Sequence, residues 1–450
     1  MPPAFYHHVR DHCHRVLRQI FVCVATPIEA PSKKDYGDID IFLAWERSKT
    51  FPSNTTSESL QGLPKDPLEA AAHLLDARKT MKGEPGSLML AIPWPEELDS
   101  GEDGESAEPR FIQVDLHYYK SLDTLQWMLF KHAHGDLWNI LGATIRPFGL
   151  TIDHIGLYLR IPEIEDNDRK KAKIFLSQDP AIVLDFLGLE CDGTKWEVPF
   201  STFDDVFEYA ATSRFFWVRP KDEDSPEHEK QTGGQTERDK LKSNDRRRMN
   251  QRILFREWVD EFIPRCREQG RFMEPRMARS EVRDEAFARF PGVKEDYSTR
   301  LLEWRIQRQK ESLWKNVIKA SLPEASLKEG SGGPSPMWRS CAASAFKKII
   351  MQGDTSFSIL PPGNFKDVHG LYIENDVRNF VRETWKKVGD EAWRQNQQRY
   401  REHVEKTGKK RTVSGGEEVA GKRTNVGPSD TVNDKEGGNA LVGGKDSELS

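Results

Sequence analysis

The first 120 residues contain four short segments rich in apolar, β-branched and aromatic residues, and each of them predicts a β-strand. The segments read IFVCVA, YGDIDIFLAW, SLMLAIPW and RFIQVDLHYY, and the acidic loop LDSGEDGESAEP separates the last two. Apolar residues at helical spacing predict a helix near residues 6–19 and another over DPLEAAAHLLDARKTMKG. In this second helix we expect Asp66 as N-cap, Pro67 at the first helical position and Gly83 beyond the end.

The pattern then predicts two further helices, an extended segment and a short helix. The two helices are TLQWMLFKHA and GDLWNILGATI. The extended segment LTIDHIGLYLRI turns at Asp153 and His154, and the short helix DPAIVLDFLGL ends at Gly188. Beyond about residue 241 nearly the whole pattern is helical. Apolar residues recur there at helical spacing, at Leu254, Trp258, Val259 and Phe262, at Leu302, Ile306, Leu313 and Val317, and at Val377, Val381 and Val388.

Shifts in composition divide the chain into five predicted segments. Charged residues, proline and glycine dominate RPKDEDSPEHEKQTGGQT, which predicts a linker or a disordered insertion. The end of the chain lacks hydrophobic periodicity, which predicts a disordered tail. The predicted segments are an α/β domain at 1–125, a second α/β region at 126–217, the linker at 218–240, a helical region at 241–405 and the tail at 406–450.

The composition argues against a membrane protein. Charged residues make up 31% of the chain, and the mean hydropathy is −0.71. No apolar run approaches the roughly 20 residues that cross a bilayer, and the first apolar patch comes too late for a typical signal peptide. We therefore expect an intracellular protein without a membrane partner, and the basic residues at 409–411 leave a nuclear and a cytoplasmic location both open. Five scattered cysteines, none in a CxxC pair, are expected to be reduced thiols.

Aspartates interrupt two of the predicted apolar strands. Side chains two residues apart on a strand point to the same face, so Asp38 and Asp40 lie side by side while the isoleucine between them faces the other way. Carboxylates so close together repel unless water or a cation separates them, and Mg²⁺ prefers such oxygen ligands. Asp115 supplies the third carboxylate that a two-metal site for phosphoryl transfer needs. A solvated Asp-x-Asp pair formed by chance is the alternative, although the preceding Gly37 and the apolar flanks favour the metal site.

The order of these motifs is similar to that of a known superfamily. YGDIDIFL resembles the S-G-D-x-D signature of the nucleotidyltransferase superfamily whose type member is DNA polymerase beta, and VDLHYY resembles the motif with that family's third aspartate. AHGDLWN resembles the T-G-S-x-x-F-N segment that begins the thumb, and DPAIVLDFLGLE is similar to the closing helix. The resemblance covers residues 6–195. It implies an α+β fold with a polymerase-beta-like palm and mixed sheet at 1–125 and a thumb-like region at 126–217, followed by the mainly helical region and the disordered tail.

The resemblance also implies a role for each matching position. Asp38 and Asp40 would bind two Mg²⁺ or Mn²⁺ ions, and Asp115 would bind the catalytic ion and help to activate the attacking hydroxyl. A core aromatic is the alternative for Trp138, and a structural role stays open for Asn139. The residues expected near a nucleoside triphosphate are Gly37, Gly135, Trp138, Asn139 and Lys34.

One motif of the family is missing. In place of its phosphate-binding Gly-Ser pair the chain has Thr26-Pro27-Ile28, in which Pro27 has no amide hydrogen and Ile28 has no hydroxyl. The following Glu29 would repel a triphosphate. Lys33 and Lys34 either compensate for these changes or are simply solvated.

Residues 237–258 form the most basic stretch of the chain. On a helix its cations lie partly on one side, which suits a phosphate backbone, but acidic neighbours make a solvated helix the alternative. The candidate nucleic-acid contacts are Arg246, Arg247, Arg248 and Arg252. Histidines near the N-terminus give little support for zinc, because His8 and His12 have no second pair at ligand spacing.

The sequence thus predicts a metal-dependent nucleotidyltransferase that moves a nucleotide from an NTP or dNTP to a hydroxyl acceptor such as a nucleic-acid 3′ end. The alternative is a catalytically degenerate member of the fold that acts as a scaffold or binds nucleic acid, which the missing Gly-Ser pair favours. The three retained acids favour the enzyme, because buried carboxylates without a metal cost stability.

Overall fold

The structure is a computed structural model, and it describes most of the 450-residue chain. The described residues are 1–51, 62–95, 110–191, 195–218, 252–274, 277–326 and 334–413, with side chains to residue 405. The predicted acidic loop and nearly all of the predicted linker lie outside these ranges. The chain divides into two compact units, Met1–Arg308 and Gln309–Ser450, so the division falls inside the segment that was predicted as one helical region.

A five-stranded mixed sheet begins the first unit and confirms the predicted α+β class. Its strands are β1 (Phe21–Ala25), β2 (Asp38–Glu46), β3 (Lys79–Lys82), β4 (Ser87–Pro93) and β5 (Phe111–Tyr119). They are arranged in the order β1-β2-β5-β4-β3. Strands β2 and β5 are parallel, and the other neighbouring pairs are antiparallel. Four of these strands are predicted by the sequence, whereas β3 is not.

Helices cover the sheet unequally on its two faces. On one face Ile39, Ile41 and Leu43 of β2 are fully buried, in a core that includes apolar residues of α1 (Pro3–Leu17) and α3 (Pro67–Leu74). On the other face Phe42 and Ala44 of β2 pack against α4 (Leu122–His132). A four-residue helix, α2 (Arg47–Thr50), follows β2.

The helix predicted over DPLEAAAHLLDARKTMKG is correct at its start and wrong at its end. Asp66 caps α3 as predicted, because its side chain accepts hydrogen bonds from the amides of Leu68 and Glu69. The helix ends at Leu74, well before Gly83. The remaining residues form β3, which pairs with β4 at the edge of the sheet.

The rest of the first unit surrounds a second, three-stranded antiparallel sheet of β6 (Leu150–Ile152), β7 (Leu157–Arg160) and β8 (Lys173–Ser177). The predicted turn at Asp153 joins β6 to β7, and β8 is not predicted by the sequence. The helices are α5 (Leu137–Ile145), α6 (Pro162–Glu165), α7 (Pro180–Leu187), α8 (Phe203–Ala211), α9 (Ile253–Glu257), a π-helical turn (Trp258–Phe262), α10 (Ile263–Glu268), α11 (Arg279–Arg289) and α12 (Val293–Ser312). One core joins these elements, and its largest fully buried side chains are Trp127, Phe186, Phe215, Phe255 and Phe262.

Helices alone build the described part of the second unit, apart from one isolated β-bridge. Beyond α12 they are a π-helical turn (Leu313–Ile318), α13 (Lys319–Ser321), α14 (Pro336–Gln352) and α15 (Glu374–Val413). The predicted stripe of Val377, Val381 and Val388 is fully buried, which confirms this helical pattern. Helix α15 continues to Val413, so its last turns lie within the segment predicted as a tail from residue 406.

Candidate active site

The pairing of β2 with β5 places the three predicted aspartates on one face of the sheet. Asp40 lies opposite Asp115, and Asp38 lies opposite Gln113. Residues opposite each other on neighbouring strands point their side chains to the same face, and Asp38 shares that face because it lies two residues from Asp40. We call these three aspartates the acidic face.

Burial increases across the acidic face. Asp38 is exposed at the start of β2, the Asp40 side chain is 38% exposed, and Asp115 is only 5% exposed. The Asp115 carboxylate accepts hydrogen bonds of 3.0 and 3.2 Å from the Gln113 amide. Burial raises the pKa of Asp115, and the charges of Asp40 and Asp38 raise it further against the opposing effect of Gln113. The three carboxylates therefore repel one another, and a cation between them would relieve this repulsion.

The acidic face fits a divalent cation in chemical type, although its side chains do not form a finished metal site. Three carboxylates are the hard oxygen ligands that Mg²⁺ and Mn²⁺ take in proteins. Within the described ranges, no three His, Cys, Asp or Glu side chains are placed so that they could hold a metal ion. Asp115 instead contacts Gln113, and Asp40 contacts His117. An ion would have to compete with these contacts.

Two histidines flank the acidic face, and neither is among the site residues predicted from sequence. His117 follows Asp115 by two residues on β5, and its Nε2 lies 3.4 Å from the Asp40 carboxylate. His132 of α4 packs edge-on against Phe42, with 5.4 Å between the ring centres. The strand period of two is a signal that could have identified His117. No local signal brings His132 to this sheet.

His132 gives the site a measurable pH dependence. Burial, and then the charge of Lys131, lowers the pKa of His132 from 6.5 to about 4, with Asp40 opposing and with His117 and Arg252 adding to the decrease. The unfolded chain therefore takes up a proton near pH 6.5 that the folded protein takes up only near pH 4, so stability falls as the pH decreases through this window. Between pH 7 and 4 we expect the free energy of unfolding to fall by at most about 3 kcal/mol more in the parent than in His132→Gln. Urea unfolding at the two pH values measures this difference. Equal losses in both proteins would contradict this pKa.

Gly135 and Trp138, both predicted to lie near a nucleotide, make internal contacts. Gly135 has a φ of +62°, and an added Cβ would lie 2.7 Å from the Cβ of Ala30, so both its conformation and its packing require glycine. Trp138 is 7% exposed, and its indole N–H donates to the Phe130 carbonyl at 2.9 Å. Of the two interpretations of Trp138, this burial favours the core aromatic over a nucleotide contact.

Asp136 joins two other predicted site residues. It accepts a hydrogen bond of 3.0 Å from the Asn139 side chain and forms an ion pair with Arg252. The Arg252 charge is therefore already paired in this structure. The same charge adds to the lowering of the pKa of His132. The other candidate nucleic-acid contacts, Arg246, Arg247 and Arg248, lie outside the described residues and stay predictions.

The loop before β2 contains Lys33, Lys34 and Gly37. Lys34 is exposed, whereas the Lys33 ammonium lies 2.9 Å from the Glu29 carboxylate. An added Cβ at Gly37 would meet nothing within 4 Å, so the space beside Asp38 is open. Glu29, which the sequence predicts to repel a triphosphate, is thus paired with one of the two lysines.

Cysteines, N-terminal histidines and long helices were also considered in the sequence analysis. All five cysteines are free thiols, as predicted. Near the N-terminus, His14 contacts the hydroxyl of Thr26 at 2.9 Å, and the described histidines belong to no metal-binding group. No helix in the described part of the chain has the length and apolar character that crossing a membrane requires.

The acidic face and its neighbours therefore form the candidate active site. The register of β2 with β5 and the burial of Asp115, both within the first unit, define the geometry of the acidic face. No protein-family model matches the chain, and no curated protein matches it in sequence.

Proposed function

We propose that the chain is a metal-dependent nucleotidyltransferase with a polymerase-beta-like palm at residues 1–125 and a thumb-like region at 126–217. One observation carries the proposal: Asp40 and Asp115 stand opposite each other on parallel strands, with Asp38 on the same face. Three carboxylates on one face of a sheet suit phosphoryl transfer that is assisted by two divalent ions. The raised pKa of Asp115, with burial as its first cause, adds support because a metal-free face of this kind is destabilising.

In the proposed reaction, an acceptor hydroxyl oxygen attacks the α-phosphorus of a nucleoside triphosphate. The bond from that phosphorus to the bridging oxygen breaks, and pyrophosphate leaves. Asp38 and Asp40 would hold two Mg²⁺ or Mn²⁺ ions, and Asp115 would hold one of them. Bound ions supply positive charge to the attacking and leaving oxygens. Asp115, oriented by the Gln113 amide, assists removal of the hydroxyl proton.

A catalytically silent member of the fold, acting as a scaffold or nucleic-acid-binding protein, is the second candidate. Specific contacts favour it, because Lys33 and Arg252 are paired with protein carboxylates rather than open to a substrate. In this interpretation the Asp40–His117 contact would be a permanent part of the folded protein. The two candidates differ in whether the acidic face binds a metal–nucleotide complex.

Thermal unfolding of the full chain separates these candidates. A protein that binds Mn²⁺ and a nucleoside triphosphate gains about 2.7 kcal/mol of stability when the ligand is at 100 times its Kd. We therefore expect the midpoint to rise with both ligands present and to stay unchanged with the nucleotide alone. A midpoint that does not respond to the pair at millimolar concentrations would favour the scaffold. Transfer of labelled nucleotides to DNA, RNA and protein acceptors then identifies the acceptor.

A further inference from the structure

A cleft of about 290 Å³ lies between helices α14 and α15 of the second unit. One wall is a line of residues four apart on α14, namely Ser340, Ser344 and Lys348, which share one face of that helix. Asn396 and Arg399 of α15 form the facing wall. In the described part of the chain, both charged residues that line this cleft are cations, and we call it the cationic cleft.

The floor of the cationic cleft is apolar. Ala345, Phe357 and Ala392 line it, and each of these residues is at most 4% exposed. The side-chain amide of Gln395 donates to the Ser356 carbonyl at 2.8 Å, which ties the loop that carries Phe357 to α15. The cationic cleft thus combines a fixed apolar surface with polar groups above it.

Both cations of the cleft are without a carboxylate partner among the side chains that the structure describes. Arg399 uses its Nε–H in a 3.3 Å hydrogen bond to the carbonyl of Gln395 on its own helix. Lys348 forms no ion pair within the described ranges. Hydrogen bonds from Ser356 lower the pKa of Asp354, and the charge of Lys348 adds to this effect, but Asp354 does not line the cleft. Both cations are therefore available to an anion.

The phosphoryl group of a phosphate monoester matches these donors in charge and in number. Near neutral pH it carries a charge of about −1.5 to −2 and presents three strong acceptor oxygens. Two cations balance that charge, because a guanidinium group binds phosphate through a fork of N–H donors and an ammonium group binds it as a point charge. The two serine hydroxyls and the asparagine amide supply further donors. A carboxylate has less charge and fewer acceptor oxygens, so it fits less well.

We propose that the cationic cleft binds a small organic phosphate, with the phosphoryl group between Lys348 and Arg399 and the apolar part of the ligand on the floor. The volume of the cleft lies near the lower end of the range for small-molecule pockets, roughly 300–1,000 Å³, which favours a compact ligand over a polymer. This proposal does not depend on the proposed function, because all the groups that carry it belong to the second unit.

Calorimetric titration of the full chain with phenyl phosphate, inorganic phosphate and benzoate tests the proposal. Phenyl phosphate and benzoate share the ring and differ in the anion, whereas inorganic phosphate lacks the ring. A chelator in the buffer keeps the acidic face free of metal, so that metal-dependent binding there does not contribute. We expect phenyl phosphate to bind more tightly than either of the other probes by roughly fivefold or more. Its Kd should rise with added salt, because both cations are open to solvent.

Substitutions of the two cations locate the site. Lys348→Gln and Arg399→Gln should each raise the Kd for phenyl phosphate roughly three- to tenfold, as expected for charged donors at a partly exposed rim. Lys347→Gln is the matched control, because this neighbouring ammonium lies over the Trp314 ring, 5.2 Å from its centre, and does not line the cleft. It should leave the Kd unchanged, and Lys348→Arg, which keeps the charge, should bind within about twofold of the parent. Circular dichroism verifies that each variant is folded.

Several outcomes would overturn the proposal. Equal Kd values for phenyl phosphate in the parent and in the Lys348→Gln/Arg399→Gln double variant would do so, as would equal affinities for benzoate and phenyl phosphate. Absence of phenyl phosphate binding at millimolar concentrations would also overturn it. Inorganic phosphate that binds as tightly as phenyl phosphate would overturn the role of the apolar floor. None of these results bears on the acidic face, whose own test requires metal and nucleotide.

Discussion

Replacement of Asp115 by asparagine is expected to remove nucleotidyl transfer and to make the metal-free protein more stable. Transfer should fall about 10³-fold or more, because Asp115 would both hold an ion and help to remove the hydroxyl proton. The free energy of unfolding should rise by about 0.5–2 kcal/mol, a usual gain when a residue tuned for function is replaced. The reason is that burial and the charges of Asp40 and Asp38 disfavour the ionised side chain, which raises its pKa. Label incorporation measures the first effect and urea unfolding the second.

The gain in stability has a defined pH dependence. A carboxyl with a raised pKa binds its proton more tightly in the folded protein than in the unfolded chain. Burial is the main cause of the raised pKa of Asp115. The parent is therefore stabilised as the pH falls through this raised pKa towards the pKa of an ordinary aspartate. Asparagine has no proton to bind. The stability difference between Asp115→Asn and the parent should thus be largest at neutral pH and shrink on acidification.

Asp76→Asn is the matched control for Asp115→Asn. Asp76 is exposed, has a φ of +52° and pairs at the surface with Arg78. Asparagine tolerates this left-handed conformation, so we expect unchanged transfer and a stability change within about 0.5 kcal/mol. Full transfer by Asp115→Asn, or equal losses in both variants, would contradict the role assigned to Asp115.

Sequence rules succeed in this fold where one or two residues determine how an element begins or ends. Asp66 caps α3 through the amides of Leu68 and Glu69, and Gly188 ends α7 in the left-handed conformation, at a φ of +69°. The rules fail for β3, whose four residues are all exposed. Its strand conformation comes from pairing with β4, and the spacing of apolar residues along the chain does not record that pairing.

In the candidate site, too, some features follow from the local sequence and others only from the tertiary fold. Asp38, Asp40 and Asp115 are recognisable because each interrupts an apolar strand, whereas the parallel register that sets Asp40 opposite Asp115 is absent from either segment alone. The ion pair of Arg252 with Asp136 joins residues 116 positions apart. Such pairs depend on the tertiary fold, so the sequence predicts Arg252 as a candidate for nucleic-acid contact without predicting its partner.

Gly389, within helix α15 of the second unit, is the position where an added methyl group should be most damaging. A Cβ there would lie 2.0 Å from Cζ2 and 2.2 Å from Cη2 of the Trp338 indole. Trp338 is 9% exposed, its N–H donates to Asp390 at 3.1 Å, and its ring meets Trp385 edge-on at 5.7 Å. The indole therefore cannot move away without losing these contacts.

We expect Gly389→Ala to destabilise the second unit by about 1–3 kcal/mol, which is the usual cost of overpacking. At an open helix position, alanine is more stable than glycine by about 1 kcal/mol. The effect expected at Gly389 therefore has the opposite sign to the intrinsic helix propensity. Gly142 in α5 is the matched control, because an added Cβ there would meet nothing within 4 Å. Gly142→Ala should stabilise by about 0.4–1 kcal/mol. Hydrogen exchange of peptides from α14 and α5 measures each effect in its own unit.

The Trp338→Phe background shows whether the indole is the obstacle. Phenylalanine is shorter than tryptophan, so the atoms that an alanine at position 389 would overlap are removed. In that background Gly389→Ala should cost much less than in the parent, and the two substitutions together should cost less than the sum of their separate effects. An unchanged cost would mean that the destabilisation comes from the helix backbone, and the close packing of α14 against α15 at Gly389 would then be wrong.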